Sequence, residues 1–262
     1  MTTSLGKPRP GYWVYHYLWT AIDWVYPPVC GGCLQLGERW CETCQSQVAR
    51  LVQDLCPVCG IPEPDGKLCA HCQLARPPYT AIRSCGKYSG SLREAIHLLK
   101  YKHDIGIAEA LSRHLIELLN ILKWPIDIIT VVPLGPKRML DRGYNQSSLL
   151  ARPLSLATGI PYLPGALIRT RETPSQVGLN ADDRRENMKD AFIAKPVLVE
   201  NKAVLIVDDV ATTGSTITAC SQALLAAGAR CVFGMTLARA VLETDISPVS
   251  TQPVVTGTYP IL

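Results

Sequence analysis

The stretch "AVLIVDDVATTGST", residues 203–216, decides the fold. Ala203 to Val207 form an uninterrupted apolar run of strand length, the pattern of a strand buried on both faces. Two adjacent acids follow, Asp208 and Asp209. Then comes a turn of small residues, Ala211, Thr212, Thr213, Gly214, Ser215 and Thr216, from which a helix is expected to start near Ser215. Free backbone N–H groups at such a helix start suit a phosphate. Gly214 allows the chain to approach the anion closely, and the four hydroxyl side chains of the turn can add donors. No Lys lies in the turn and G-x-x-x-x-G-K-[ST] is absent, which excludes a P-loop.

Two carboxylates beside a phosphate repel it unless they hold neutral hydroxyls or a divalent cation. A ribose 5-phosphate supplies both halves: vicinal hydroxyls for Asp208 and Asp209, and a phosphate for the turn. The plainer reading, a capped helix start, leaves two partly desolvated charges without partners.

Outward from this stretch, helices and strands alternate. "SLREAIHLLKYK" places Leu92, Ile96 and Leu99 on one helical face, and "GIAEALSRHLIELLNIL" aligns Ile107, Leu111, Leu115, Leu118 and Leu122. "IDIITVVP" predicts a short strand ending at Pro133, and a basic loop with Lys137, Arg138 and Arg142 follows it. "QSSLLARPLSLATG" predicts a helix that Pro153 either kinks or enters in its first turn. The final strand is "RCVFGMTLAR". Near-continuous apolar strands separated by helices predict a parallel sheet covered on both faces. Ligands of such sheets bind at the carboxyl ends of the strands.

Eight of the eleven cysteines fall in four C-x-x-C pairs: Cys30/Cys33, Cys41/Cys44, Cys56/Cys59 and Cys69/Cys72. Uniform pairs of this kind predict two tetrahedral zinc sites. Sequential pairing puts the first four cysteines on one ion and the last four on the other, and its short loops cost less entropy than a cross-brace. Four protein ligands per ion leave no open position, so both ions are expected to be structural. His71, inside the last pair, is a competing ligand or a mere neighbour. Metal-bound thiolates fit a reducing, cytoplasmic setting.

A hydrophobic fraction of 47% with 18% charged residues excludes a disordered chain. The net charge of +4 permits a polyanionic ligand without demanding one. Residues 12–26, "YWVYHYLWTAIDWVY", are too short for a membrane span. They lack a small-residue cleavage site, and they predict an amphipathic helix packed on the body through Trp13, Tyr17, Thr20 and Trp24. The expected organisation is a leader helix (1–26), a cysteine-pair block (27–80), an α/β region (81–241) and a Ser/Thr/Pro-rich flexible tail (242–262).

"VLIVDDVATTGST" closely resembles the phosphoribosyl pyrophosphate motif of type I phosphoribosyltransferases. Taken with the cysteine block, "LLKYKHD" (98–104), "VVPLGPKRMLDRGYNQSSLLA" (131–151) and "RTRETPSQVGLNADDRRENMKDAF" (169–192), the chain is similar to the ComF family over most of residues 28–239. The resemblance implies a type I phosphoribosyltransferase-like parallel sheet flanked by helices and preceded by a small double zinc ribbon. It implies that Asp208 and Asp209 contact the ribose hydroxyls, directly or through magnesium, and that residues 211–216 bind the 5-phosphate. Lys137, Arg138 and Arg142 fall where pyrophosphate would bind. Arg184 and Arg185 fall in a loop that closes over the site in related enzymes, or else on an exposed charged helix. Asn145 and Gln146 orient a substrate, or Asn145 simply caps the helix that follows.

The activity implied is transfer of phosphoribose to or from a nitrogenous acceptor. A role in DNA uptake is also implied, with single-stranded DNA, the competence helicase and DNA-processing proteins as partners. The alternative is a non-catalytic adaptor of the competence machinery that binds phosphoribosyl pyrophosphate and single-stranded DNA.

Overall fold

The computed structural model describes residues 8–171 and 191–241. Its centre is a four-stranded sheet in the order β1 (Ala81–Lys87), β6 (Cys231–Arg239), β5 (Ala203–Ala211), β2 (Ile128–Val131), and every neighbouring pair is parallel. The expected α/β parallel sheet is therefore present. β5 is central, and Val204 to Val207 are fully buried. Its side chains divide between two cores, as the period of a strand requires. Leu205 and Val207 join Met235 and Leu237 against α4 (Gly90–Tyr101), α5 (Ile107–Leu122) and α7 (Gln146–Thr158). Val204 and Ile206 join Val232 in a second core, where they meet Ile217, Cys220 and Leu224 of the long helix Ser215–Ala226, named α9 here.

The predicted stripes of α4 and α5 are the buried faces: Leu92, Ile96, Leu99, Ile107, Leu111, Leu115 and Leu118 all lie in the core. Leu122 is half-buried at the end of its helix. Pro153 is the eighth residue of α7, well inside the helix and not in its first turn. A short antiparallel hairpin, β3 (Leu167–Arg169) with β4 (Phe192–Ala194), packs on the α9 side. The short helix α8 (Pro196–Val199) leads from it to β5.

The cysteine block lies against the edge of the sheet. Leu51 N–H donates to Cys85 O, Lys87 N–H donates to Ala49 O, and Arg50 bridges antiparallel to Gly86, so the first ribbon pairs with β1. Ile82 N–H donates to Val58 O of the second ribbon. Both ribbons thus satisfy backbone groups that a bare edge strand would expose. The short helices α2 (Glu42–Ser46) and α3 (Ala70–Leu74) each carry the last cysteine of their set.

The structure corrects three expectations. The chain after Pro133 is not a loop: Pro136–Arg142 form the short helix α6, with Pro at its first position and Gly143 in the left-handed conformation as its stop. β1 was not anticipated at all. The leader does form a helix, α1 (Pro10–Val25), but it packs through a face turned by one residue, about 100°, from the expected one. Trp13, Tyr17 and Trp24 are 43%, 63% and 90% exposed, and Thr20 is exposed as well. The docked side carries Tyr12, His16, Trp19 and Asp23. Tyr12 OH donates to Glu109 Oε1 (3.1 Å), His16 Nδ1 lies 3.1 Å from the same oxygen, and Asp23 pairs with Arg39. Polar anchoring to a buried Glu decides the face, because apolar residues ring the whole helix. No helix among the described residues is long and apolar enough to cross a membrane. The tail 242–262 lies outside the described residues.

Candidate functional site

Asp208 and Asp209 sit near the carboxyl end of β5, two residues before the strand finishes at Ala211. Asp208 Oδ1 accepts from Ser147 Oγ (2.9 Å) and from the Asp209 N–H (2.9 Å). Asp209 Oδ1 accepts from the Val210 N–H, and Oδ2, a buried oxygen, meets Lys100 Nζ at 2.8 Å as an ion pair. Burial, and next the neighbouring Asp209 charge, push the Asp208 carboxyl up to about 7, against the pull of Lys100. Burial disfavours the Lys100 ammonium, yet the two carboxylates outweigh it and raise its affinity for the proton. One cation therefore faces two acids, which leaves the pair with an excess negative charge that a hydroxyl donor or a divalent cation can meet.

Asn145 holds this arrangement in place. Its Nδ2 donates to Val132 O (2.9 Å) at the end of β2, and its Oδ1 accepts from Ser147 N (2.9 Å). It is the N-cap of α7, so of its two expected roles the structure selects capping. The cap fixes Ser147, and Ser147 fixes Asp208. Gln146 accepts from Arg142 Nη1 (2.6 Å), and the Arg142 guanidinium stands 5.4 Å from the centre of the Tyr101 ring. Lys137 is exposed and Arg138 half-buried in the first turn of α6. Arg184 and Arg185 lie outside the described residues; the β3–β4 hairpin joins the two ends of their segment.

The turn after β5 has the predicted form. Gly214 adopts a left-handed conformation (φ 78°, ψ 4°) as the N-cap of α9 and has no side chain with which to cap it. Thr213 Oγ1 accepts from the Ser215 N–H (3.3 Å) and lies 3.1 Å from Ser215 Oγ. Thr212 is exposed, Thr213, Ser215 and Thr216 are half-buried, and Ala211 is buried. A shallow groove of about 400 Å³ between β4 and α9 is lined by Phe192, Ala219, Ala223 and similar small or apolar residues. It has no charged lining and is separate from the acids.

The eight paired cysteines form two clusters, Cys30/Cys33/Cys41/Cys44 and Cys56/Cys59/Cys69/Cys72, each with its sulfurs within 4.8 Å of one another. This is the sequential arrangement, and His71 belongs to neither set. Sulfur separations of 3.5 Å (Cys30–Cys41), 3.7 Å (Cys33–Cys41) and 3.6 Å (Cys59–Cys69) are far from bonding distance. They match the edge of about 3.8 Å that a tetrahedron with Zn–S of about 2.3 Å requires. Burial opposes ionisation of Cys30 and Cys56, but backbone N–H donors outweigh it and bring them down to about 6 and about 7. Cys41, Cys44, Cys59 and Cys72 are raised instead, the last three chiefly by burial, and it is the closed sets of four sulfurs that fit structural zinc.

Three residues at or near the site escaped sequence reasoning: Lys100, Ser147 and Tyr79, whose hydroxyl lies 3.6 Å from where a Cβ on Gly214 would stand. Lys100 carried a signal. It falls four residues after Ile96, on the edge of the buried stripe of α4, where a cation needs a partner.

Comparison with known proteins bears on the whole chain. Residues 21–73 match the double zinc ribbon domain and residues 167–244 the phosphoribosyl transferase domain. The DNA utilization protein YhgH of Escherichia coli O157:H7 is 40% identical over 218 residues, which cover 79% of this chain and 94% of the relative. Competence protein F of Haemophilus influenzae is 34% identical over 221 residues, 80% of this chain and 95% of the relative. The chain belongs to the ComF family. Competence protein ComFC of Streptococcus pneumoniae is 29% identical over 201 residues, 76% of this chain and 87% of that one. Family membership accounts for the combination described above: a phosphoribosyltransferase-like sheet with a double ribbon docked on its edge.

Proposed function

We propose that this ComF protein binds phosphoribosyl pyrophosphate with magnesium at the end of β5 and transfers the phosphoribosyl group to or from a nitrogen acceptor. The observation that carries this reading is the juxtaposition of an under-neutralised acid pair with a helix that starts at a left-handed glycine, separated by one short turn. Asp208 and Asp209 would hold the ribose hydroxyls, directly or through the cation. The turn Ala211–Thr216 would hold the 5-phosphate through backbone amides and hydroxyls. Lys137, Arg138 and Arg142, on the helix that follows β2, would hold the pyrophosphate, and Arg184 and Arg185 belong to the same role. Magnesium, when bound with the substrate, supplies charge neutralisation of the leaving group.

In the transfer, the acceptor nitrogen attacks C1 of the ribose. The C1–O bond breaks, and its electron pair leaves with pyrophosphate. The chain contributes position and charge: Ser147 and Lys100 fix the two carboxylates beside the ring where positive character develops, and the cationic side chains stabilise the departing anion. Incubation with a panel of nucleobases and other nitrogen acceptors, read by pyrophosphate release, tests the activity. Release with one acceptor, abolished by Asp208→Asn, supports it; no release with any acceptor despite tight ligand binding favours the adaptor reading.

That second reading has its own support, because the relatives are named for DNA utilization and for competence. The protein would then act in DNA uptake on the cytoplasmic side, binding single-stranded DNA and competence helicase or DNA-processing proteins, with the phosphoribosyl pyrophosphate pocket as a sensor. DNA affinity that falls steeply with salt would support it, and no binding at low salt would refute it.

A further inference from the structure

Arg239 is the last residue of β6, in register with Lys87 of β1 on one side and Ala211 of β5 on the other. It is 3% exposed, and its Nε and Nη1 are buried without a hydrogen-bond partner among the described residues. Residues level with one another in a parallel sheet point to the same face, so the half-buried Lys87 brings a second cation alongside. A buried guanidinium without an anion is strongly unfavourable, and a like charge opposite it adds to the cost. The position calls for a negative charge.

The face that Arg239 takes follows from its neighbours. Ala238 belongs to the core beneath α4, α5 and α7, and its register partner Val210 packs against that core. Side chains alternate along a strand, so Arg239 and Ala211 turn to the other face, the α9 side. The acid pair does not serve Arg239: Asp208 accepts from Ser147 of α7, and Asp209 pairs with Lys100 of α4. What lies on the α9 side is the turn. It leaves β5 at Ala211, level with Arg239, where Ala240 N–H donates to Ala211 O (2.9 Å). It then folds back over the sheet. A Cβ on Gly214 would stand 3.6 Å from Ile82 Cδ1 of β1, and a Cβ on Gly234 of β6 would stand 3.0 Å from Ile217 Cγ2 of α9. The helix therefore runs down across β6, and its amino end points back toward the strand ends, where Arg239 sits. An anion at that helix start would lie between α9 and the buried guanidinium.

We propose that Arg239 is a phosphate-binding residue: its guanidinium meets the 5-phosphate from the sheet side while the turn Ala211–Thr216 holds it from the helix side. The inference rests on the phosphoribosyl pyrophosphate reading of the β5 end and adds to it a cation that the turn itself lacks. The planar fork of an arginine suits two phosphate oxygens at once. Phosphate would pair a charge that the described chain leaves uncompensated, so the same side chain lowers the stability of the free protein and raises its affinity for ligand.

The test uses the full-length protein, with ribose 5-phosphate and magnesium pyrophosphate as separate probes in isothermal titration, and the unfolding midpoint of the free protein as a third measurement. Arg239→Met should weaken ribose 5-phosphate binding by about 10–100-fold, the worth of a charge-assisted contact, and leave magnesium pyrophosphate binding unchanged. The free variant should unfold at or above the wild-type temperature, because an uncompensated buried charge has been replaced by an apolar stem. Arg239→Lys, which keeps the charge without the fork, should bind with intermediate affinity. Ribose 5-phosphate held equally by the wild type and Arg239→Met overturns the proposal and leaves the reading of the site standing. So does a loss confined to magnesium pyrophosphate. An Arg239→Met variant that fails to fold, or unfolds well below the wild type, gives the guanidinium a structural role and overturns the proposal as well. A wild type that binds neither ribose 5-phosphate nor magnesium-loaded phosphoribosyl pyrophosphate overturns the reading of the site, and this inference with it.

Discussion

Replacing Lys100 by Met should destabilise the protein, and the deficit should grow with pH. The ammonium is 2.8 Å from Asp209 Oδ2, with side-chain exposures of 18% for Lys100 and 5% for Asp209. At an effective dielectric of about 20, Coulomb attraction at that distance is at most about 6 kcal/mol, and desolvation of both ions offsets part of it. Removing one partner of a buried pair commonly costs about 3–5 kcal/mol. Water reaches Lys100, and Asp208 can take up a proton, so about 3 kcal/mol is expected, equivalent to roughly 6–12 °C in the unfolding midpoint of a chain near this size. The pH dependence identifies the cause. The Asp208 carboxyl already titrates at about 7 with Lys100 present. Without Lys100 the folded acid pair binds protons more tightly than the unfolded chain does, so stability falls as pH rises. Differential scanning fluorimetry from pH 5.5 to 8.5 should show a small deficit at the acid end and the full deficit above pH 8. Adding Asp209→Asn to Lys100→Met should recover most of it. A deficit independent of pH, or none, would refute the assignment of Lys100 as the partner of the acid pair.

Other outcomes follow from the same geometry. Affinity for magnesium-loaded phosphoribosyl pyrophosphate, measured by calorimetry, should increase as pH rises through about 7, with proton release, because Asp208 must ionise to hold a cation or accept from hydroxyls. Gly214→Ala should cost about 1–2 kcal/mol, the strain of a left-handed backbone. The added Cβ meets Ile82 and Tyr79 only at 3.6 Å, so loss of ligand affinity beyond tenfold with little further loss of stability would mark displaced amides. Elemental analysis should find about two zinc ions per chain, the number two closed sets of four thiolates hold; one or none would contradict the double ribbon. His114 accepts from Trp40 Nε1 (3.1 Å) and is held down to about 4, chiefly by burial and then by Arg50 and Arg113. Its contribution is complete above pH 6.5 and lost on acidification through pH 4, about 3 kcal/mol in all; a His114→Gln variant with the same acid limb as the wild type would count against it.

The central strand was legible because a strand buried on both faces leaves no room for polar residues, and "AVLIV" has none. The cysteine clusters were legible because C-x-x-C is itself a local geometry, and sequential pairing follows from short loops. β1 was hidden. Its sequence "AIRSCGK" mixes Arg83, Ser84, Gly86 and Lys87 into the strand, because the ribbons cover its edge with polar backbone and Ser84 pairs with Thr236 across the sheet (2.7 Å). The face of α1 was misjudged because aromatic side chains surround it, and the residues that dock it are the few polar ones. Lys100 was overlooked because a Lys in the last turn of a helix is ordinarily explained by the helix dipole. Of the expected cationic site residues, Arg142 is anchored near the acids through Gln146, whereas the structure gives Lys137 and Arg138 a helix but no described contact with the acid pair.

The central claim is that the acid pair and the Gly214 turn together form a phosphoribosyl pyrophosphate site. Isothermal titration of the full-length protein with phosphoribosyl pyrophosphate, with and without magnesium, tests it most directly. The account predicts saturable, magnesium-dependent binding to the wild type and its loss by about 100-fold or more in the Asp208→Asn/Asp209→Asn double variant, the consequence of removing two buried charged contacts to ligand. Equal binding by the two proteins, or none by the wild type, would contradict it.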